Sequence, residues 1–296
     1  MLAKGGRHHR VRPSVLARKR RVRRVWAGIL LIAAAGSGIL IFEVNSHVAS
    51  TADRLINSSC QNLAVPAYFY PDAGWTQADN SKPVPKIMIL DVAGAGAGSS
   101  PVRVYQTAAK QAQAAGITIM GYSDTNYTQR PAAVIEADVR KYKAWYGVTN
   151  IFLDEVSSGS GQLAYYRQLA DYIHSANPGS AVMLNPGTYP DQQYMSVGDI
   201  VMVFENTYAS YVNLQVPSWT QKYKAGRFAY VIYGASGPQM VNAISLARQR
   251  HAGYVYVTDG TGQQRYNSLP SYWSREVSVI SACANANPQS SGGAGT

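Results

Sequence analysis

The chain has 296 residues, 46% hydrophobic and 15% charged, enough for one large domain or two small ones. Its 26 Gly and 14 Pro exclude a collagen-like or wholly disordered chain, and two Cys exclude a disulfide-dense or Cys-rich zinc scaffold. The net charge of +11 is concentrated at one end: residues 1–24 hold ten of the 27 Lys and Arg and no acid, which leaves 17 basic against 16 acidic groups in the remainder. That near-neutral remainder lacks the basic face that nucleic-acid binding needs, so no nucleic-acid partner is expected.

Residues 1–24 read as a basic cytoplasmic arm. Residues 25–42, from Val25 to Phe42, are apolar and uncharged. As a helix they rise about 27 Å, close to the hydrocarbon thickness of a bilayer. Trp26 and Phe42 stand at the two ends, and Arg18 to Arg24 precede the run. The positive-inside rule then leaves everything after Glu43 outside the cell. Two readings stay open: a single-pass anchor that makes the membrane a partner of the chain, or a signal segment cleaved near Ala49 to Ala52, with secretion. Residues 43–59 read as a polar stalk. Cys60 and Cys283 bracket the remaining domain, 60–283. In an oxidising compartment a disulfide between them could tie its ends together, stabilising it by about 4–5 kcal/mol in the chain-entropy model. Two unpaired thiols are the alternative. Residues 284–296 are small and polar and read as a disordered tail.

Within the domain, eight apolar runs predict buried strands: 63–70, 86–92, 117–123, 150–156, 181–186, 200–206, 228–234 and 253–259. Helical patterns separate most of them, over 101–115, 131–146, 161–176, 238–251 and 268–283, with weaker helices after strands one, five and six. Such alternation predicts a parallel sheet with helical crossovers. Eight units in about 225 residues fit an α/β fold of the (β/α)8 TIM-barrel type. An open doubly wound sheet is the alternative, weakened by the absence of GxGxxG after the first strand. GAGAG at 94–98 lacks the Gly-Lys-Ser/Thr ending of a phosphate loop and reads as a flexible loop.

In a barrel the chemistry gathers at the C-terminal strand ends, and these are polar. Tyr68 and Tyr70 close the first run, Asp91 the second, Tyr122 and Asp124 the third, and Asp154 and Glu155 the fourth. Asn185 follows the fifth, Glu205 the sixth, Tyr233 the seventh and Asp259 the eighth. A carboxylate beside a core is costly unless paired or solvated. Crowded, desolvated carboxyls have raised pKa values, which lets one act as an acid while another stays ionised. Two carboxyls flanking a glycosidic bond are the equipment for its hydrolysis. Salt bridges at the barrel rim are the structural alternative. The 21 Tyr against five Phe suit pyranose binding, with Tyr127, Tyr189, Tyr194, Tyr208, Tyr211, Trp75 and Trp219 as further candidates. The five His lie before the domain or on helices, and neither HExxH nor GxSxG occurs, so no metal, cofactor or serine nucleophile is expected.

The segments VPAYFYP (65–71), GYSDTNYTQR (121–130), WYGVTNIFLDE (145–155), NPGTYPDQQY (185–194) and FENTYASY (204–211) resemble the spherulation-specific family 4, or spherulin-4-like, proteins. That family is similar to glycoside hydrolase family 135. The resemblance implies a (β/α)8 barrel and endo-cleavage of α-1,4-linked N-acetylgalactosamine polysaccharide. By position it implies catalytic roles for Asp154, Glu155 and Glu205: Asp154 as nucleophile or stabilising carboxylate, Glu205 as acid/base and Glu155 as a positioning neighbour. Adjacent strand residues face opposite ways, so Asp154 and Glu155 both point inward only if the strand end unwinds. Asp91 stands where the family has an amide, which puts substrate contacts on that side in question. The overall expectation is an exported, monomeric glycoside hydrolase domain. The competing expectation is a non-catalytic carbohydrate-binding surface protein on the same barrel.

Overall fold

The computed structural model describes residues 49–285 apart from Ser59, with side chains through Ser281. The basic arm, the apolar segment 25–42, the first part of the stalk, the tail beyond 285 and the Cys283 side chain lie outside the described residues, as therefore does the Cys60–Cys283 pairing. Among the described residues, no helix is long and apolar enough to cross a membrane.

Eight parallel strands close into a barrel in chain order: β1 (Asn62–Ala67), β2 (Ile87–Leu90), β3 (Thr118–Asp124), β4 (Asn150–Asp154), β5 (Val182–Leu184), β6 (Ile200–Thr207), β7 (Phe228–Tyr233) and β8 (Tyr254–Val257). Each lies on one of the eight expected runs. Both faces of a parallel strand are covered, one by the barrel interior and one by helices, so its sequence stays apolar throughout. β2, β5 and β8 are buried at every position.

The strong helical patterns become α3 (Arg103–Ala114), α4 (Ala132–Lys141), α5 (Leu163–Ala176), α7 (Gly237–Gln249) and α8 (Trp273–Asn285). The weak ones become the short α2 (Ala73–Asp79) after β1 and α6 (Tyr208–Val212) after β6, and only a 3-10 segment, Gln192–Ser196, after β5. A π-helical turn, Tyr142–Tyr146, extends α4. Tyr142 lies across Gly121, whose missing side chain leaves room for the ring, and its hydroxyl donates to the Tyr122 carbonyl at 2.7 Å.

Two expectations need correction. The stalk is not polar throughout: Thr51–Ile56 forms α1, with Leu55 buried. It lies at the N-terminal end of the barrel, where Tyr254 donates to the Leu55 carbonyl and Thr51 N–H to the Gly179 carbonyl, both at 2.9 Å. The GAGAG loop is pinned rather than free. Arg130 donates to the Ala95 carbonyl and Lys141 to the Gly98 carbonyl, and a Cβ at Gly96 would stand 2.2 Å from the Asp138 carboxylate.

The seam between β8 and β1 is short, joined at Asn62–Tyr254 and Leu63–Val255, two pairs like the β5–β6 junction. The Glu276 carboxyl, on α8 and fully buried, accepts the Val257 N–H there at 2.8 Å.

Candidate active site

β4 delivers Asp154. Phe152 stacks with Tyr122, its register partner on β3, inside the barrel, and Asp154, two residues on, shares that face. The strand then stops: Glu155 has φ +51° and leaves the pleat. Glu155 donates its backbone N–H to the Asp154 carboxylate. Among the described residues, the carboxylate of Glu155 itself has neither a hydrogen bond nor an ion pair.

β6 delivers Glu205 through a bulge. Met202 pairs with Ala229 and Phe204 with the next residue, Tyr230, so the register skips Val203. Side chains alternate along a strand, and one extra residue resets the alternation, which puts Glu205 on the same face as Met202.

Asn185, between them at the end of β5, joins the two acids. Its Nδ2 donates to Asp154 Oδ1 at 2.7 Å and to Glu205 Oε2 at 2.6 Å, so the two oxygens lie no farther apart than the sum, about 5.3 Å. The amide orientation follows from its other side, where Oδ1 accepts the Gly187 N–H at 2.9 Å. Gly187, at φ +63°, also accepts the Glu205 N–H at 3.1 Å. The Asn-Pro-Gly turn therefore aims an amide and fixes a catalytic candidate in one motif.

Burial, and then the nearby Glu205 charge, push the Asp154 carboxyl up to about 7 against three opposing donors: the Glu155 N–H, the Tyr122 hydroxyl and the Asn185 amide. Tyr68 stands over the pair, edge-on to Tyr122 at 5.3 Å and to Tyr266 at 5.6 Å. Its hydroxyl is pushed well up by burial and by the charges of Asp154 and Glu205.

The family model of spherulation-specific family 4 matches residues 62–280. The chain belongs to that family. This family 4 chain is 34% identical to Spherulin-4 of Physarum polycephalum over 250 residues, covering 80% of this chain and 73% of that protein. Its barrel is similar to the crystal structure of Aspergillus clavatus Sph3 in complex with GalNAc, with a TM-score of 0.65 and 23% identity over 75% of this chain and 97% of that one. The likeness shows a shared fold.

The family 4 barrel gathers Tyr68, Tyr122, Asp154, Asn185 and Glu205, and it places the other candidates differently. Asp124 is bound by Arg130 at 2.7 Å. Asp91 caps the GAGAG loop through the Ala93 and Gly94 N–H groups, and burial raises its carboxyl. Asp259 is exposed and accepts the Ser271 N–H and hydroxyl, so it anchors the segment before α8 rather than facing Glu205. Tyr208 accepts from Asn242 at 2.8 Å, and Tyr233 donates to Asn206 at 3.3 Å. Tyr70 is 62% exposed at the rim, beside Tyr105.

Much of the tyrosine excess is core. Tyr142, Tyr166, Tyr194, Tyr211, Tyr230, Tyr254 and Tyr256 are fully buried. Trp75 is buried with its indole on the Phe69 carbonyl, and Trp219 packs among Tyr189, Tyr223 and Phe228. Two site residues escaped the sequence reading. Tyr266 donates to Glu205 Oε1 at 2.8 Å, and Arg265 lies 3.8 Å from the same oxygen, over the rings of Tyr233 and Tyr266. Both come from the loop after β8, where no apolar run ends and no motif marks them. Among the described residues, no cluster of three or more His, Cys, Asp or Glu is arranged to hold a metal ion.

Proposed function

We propose that this chain is an exported glycoside hydrolase that cleaves within an amino-sugar polysaccharide of the α-1,4-linked N-acetylgalactosamine type, using Asp154 and Glu205. Residues 25–42 would anchor it to the membrane or direct its secretion. One observation carries the reading: two carboxyls held by a single amide, with Asp154 raised to about 7. Below that pH the pair holds one proton, so one acid and one carboxylate coexist at the bond to be cut. Membership of family 4 and the fold shared with a protein crystallised with GalNAc support the sugar class.

The limit of about 5.3 Å between these oxygens lies below the roughly 6.5–9.5 Å of inverting pairs, which favours retention of configuration. Asp154 is the attacking group: three donors fix its oxygens, and they stabilise the charge it carries at attack. Glu205 protonates the departing glycosidic oxygen, then draws a proton from the water that hydrolyses the glycosyl–Asp154 ester. In the resting chain burial favours the proton on Asp154. The acid step uses that proton on Glu205, with Asp154 ionised as the attacking group, so the pair carries one proton throughout.

The test is the full chain incubated with the polymer, with products followed by mass spectrometry and anomeric NMR. Release of oligosaccharides with retained configuration supports the reading. A polymer that binds and is never cut overturns it. Roles separate by leaving group: Glu205→Gln should keep activity on aryl glycosides that need no acid, whereas Asp154→Asn should lose it on every substrate.

A further inference from the structure

Asn126, Tyr127 and Thr128 have φ values of +42°, +52° and +78° in succession, and Glu155 beside them has +51°. The left-handed region is costly for non-glycine residues, and most of all for a β-branched one such as Thr128. Glycine would form this turn without strain, as it does at Gly94, Gly116, Gly147 and Gly179. The side chains therefore supply a reason for the strain that the turn alone does not.

The segment is held firmly. Thr125 Oγ donates to the carbonyls of Asp154 and Glu155 at 2.9 and 2.8 Å, and the Tyr127 N–H donates to the Glu155 carbonyl at 2.9 Å. The Thr125 carbonyl accepts the N–H groups of Thr128 at 3.0 Å and Arg130 at 3.2 Å. The turn is thus stapled to the end of the strand that carries Asp154. Yet its most prominent side chain is unused: Tyr127 is 56% exposed. Among the described residues its ring has no aromatic contact and its hydroxyl no hydrogen bond. Glu155 likewise has an unpartnered carboxylate. Burial and the charges of Glu155, Asp154 and Glu205 raise the Tyr127 hydroxyl, so it lies within the field of all three acids.

We propose that Tyr127 and Glu155 form a sugar subsite beside the carboxyl pair, where the Tyr127 ring stacks on a pyranose face and the Glu155 carboxylate accepts a hydrogen bond from that sugar's rim. Tyrosine offers a flat apolar face with a polar tip. An ionised carboxylate is acceptor-only, so the group it meets is a donor: a hydroxyl, an amide N–H or an ammonium. The subsite rests on the carbohydrate reading of the site and assigns Glu155 to recognition rather than to bond cleavage.

The test uses the full chain carrying Glu205→Gln, to prevent turnover. The probes are α-1,4-linked N-acetylgalactosamine oligosaccharides and their de-N-acetylated forms, with affinities measured by calorimetry. Tyr127→Ala should weaken both probes roughly tenfold, and Tyr127→Phe only slightly. Glu155→Gln should weaken the cationic probe more than the neutral one if the donor is an ammonium, and both alike if it is a hydroxyl. Thr128→Gly should raise the thermal midpoint by relieving strain while weakening binding, because the turn loosens. Unchanged affinity in Tyr127→Ala, or no binding of either probe to the parent, overturns the subsite. If the Glu205 chain is active and Tyr127→Ala leaves its KM unaltered, the subsite falls and the hydrolase reading stands. If no polymer is ever cut but Tyr127→Ala abolishes binding, the subsite stands and the hydrolase reading falls.

Discussion

The mouth between β4 and β6 and the seam between β8 and β1 each hold a carboxyl group that burial pushes above the ordinary range, Asp154 in one and Glu276 in the other. Their surroundings differ. Asp154 meets a second carboxyl through the Asn185 amide and lies beneath Tyr68 at the open end of the barrel. Glu276 is fully enclosed under α8, accepts one backbone N–H and, among the described residues, has an Oε2 without a hydrogen-bond partner. Desolvation alone therefore does not mark a reactive group. Both also feel a like charge, Glu205 at the mouth and Asp259 at the seam, so two carboxyls joined through one amide donor and an open approach are what distinguish chemistry from the closing of a seam.

The largest effect that would break this contrast is loss of either acid at the mouth. Asp154→Asn or Glu205→Gln should lower polymer turnover by roughly a thousandfold with the circular dichroism spectrum unchanged, whereas Glu276→Gln should leave turnover within about twofold. Equal losses in all three variants would erase the distinction. Next, Asn185→Ala removes the donor common to both carboxylates. We expect turnover to fall about a hundredfold and the alkaline limb of the pH–rate profile to move upward, because Asp154 loses a hydrogen bond that lowers its pKa.

In the unmodified chain that limb should lie near pH 7, where the shared proton leaves. Activity should be held below it and decline above it, and a rate constant flat from pH 6 to 9 would contradict the paired arrangement. The smallest effect concerns stability. Glu276 has a folded pKa well above 4.5, so its stability contribution is present below the unfolded value and is lost as pH rises above it. Glu276→Gln should therefore gain roughly 1 kcal/mol at pH 8 and little at pH 4, as read by urea unfolding.

The strands were legible because burial on both faces leaves uninterrupted apolar runs, and the acids because their charge breaks those runs. Asp154 and Glu205 were found on that signal, and Asn185 by its place after β5. Tyr266 and Arg265 were not legible, since a loop residue's distance from Glu205 depends on how the loop after β8 folds back. Nor was the division of the tyrosines: the same residue type packs the core at Tyr230 and faces solvent at Tyr127, and only the neighbours differ. Val203 reads as one more apolar strand residue, although its place outside the register turns Glu205 inward.

Sequence by itself determined the alternation of eight strands with helices, the order of the elements and the polar character of one barrel end. These follow from local periodicity and from the cost of burying charge. The tertiary structure decided which polar groups meet. It brought two carboxyls to one amide, gave Asp259 to Ser271 and Asp124 to Arg130, and bent the chain at Glu155 and Tyr127 into strained positions beside them. These pairings range from 6 positions apart for Asp124 and Arg130 to 31 for Asp154 and Asn185. They depend on the closure and register of the barrel, which no local pattern encodes.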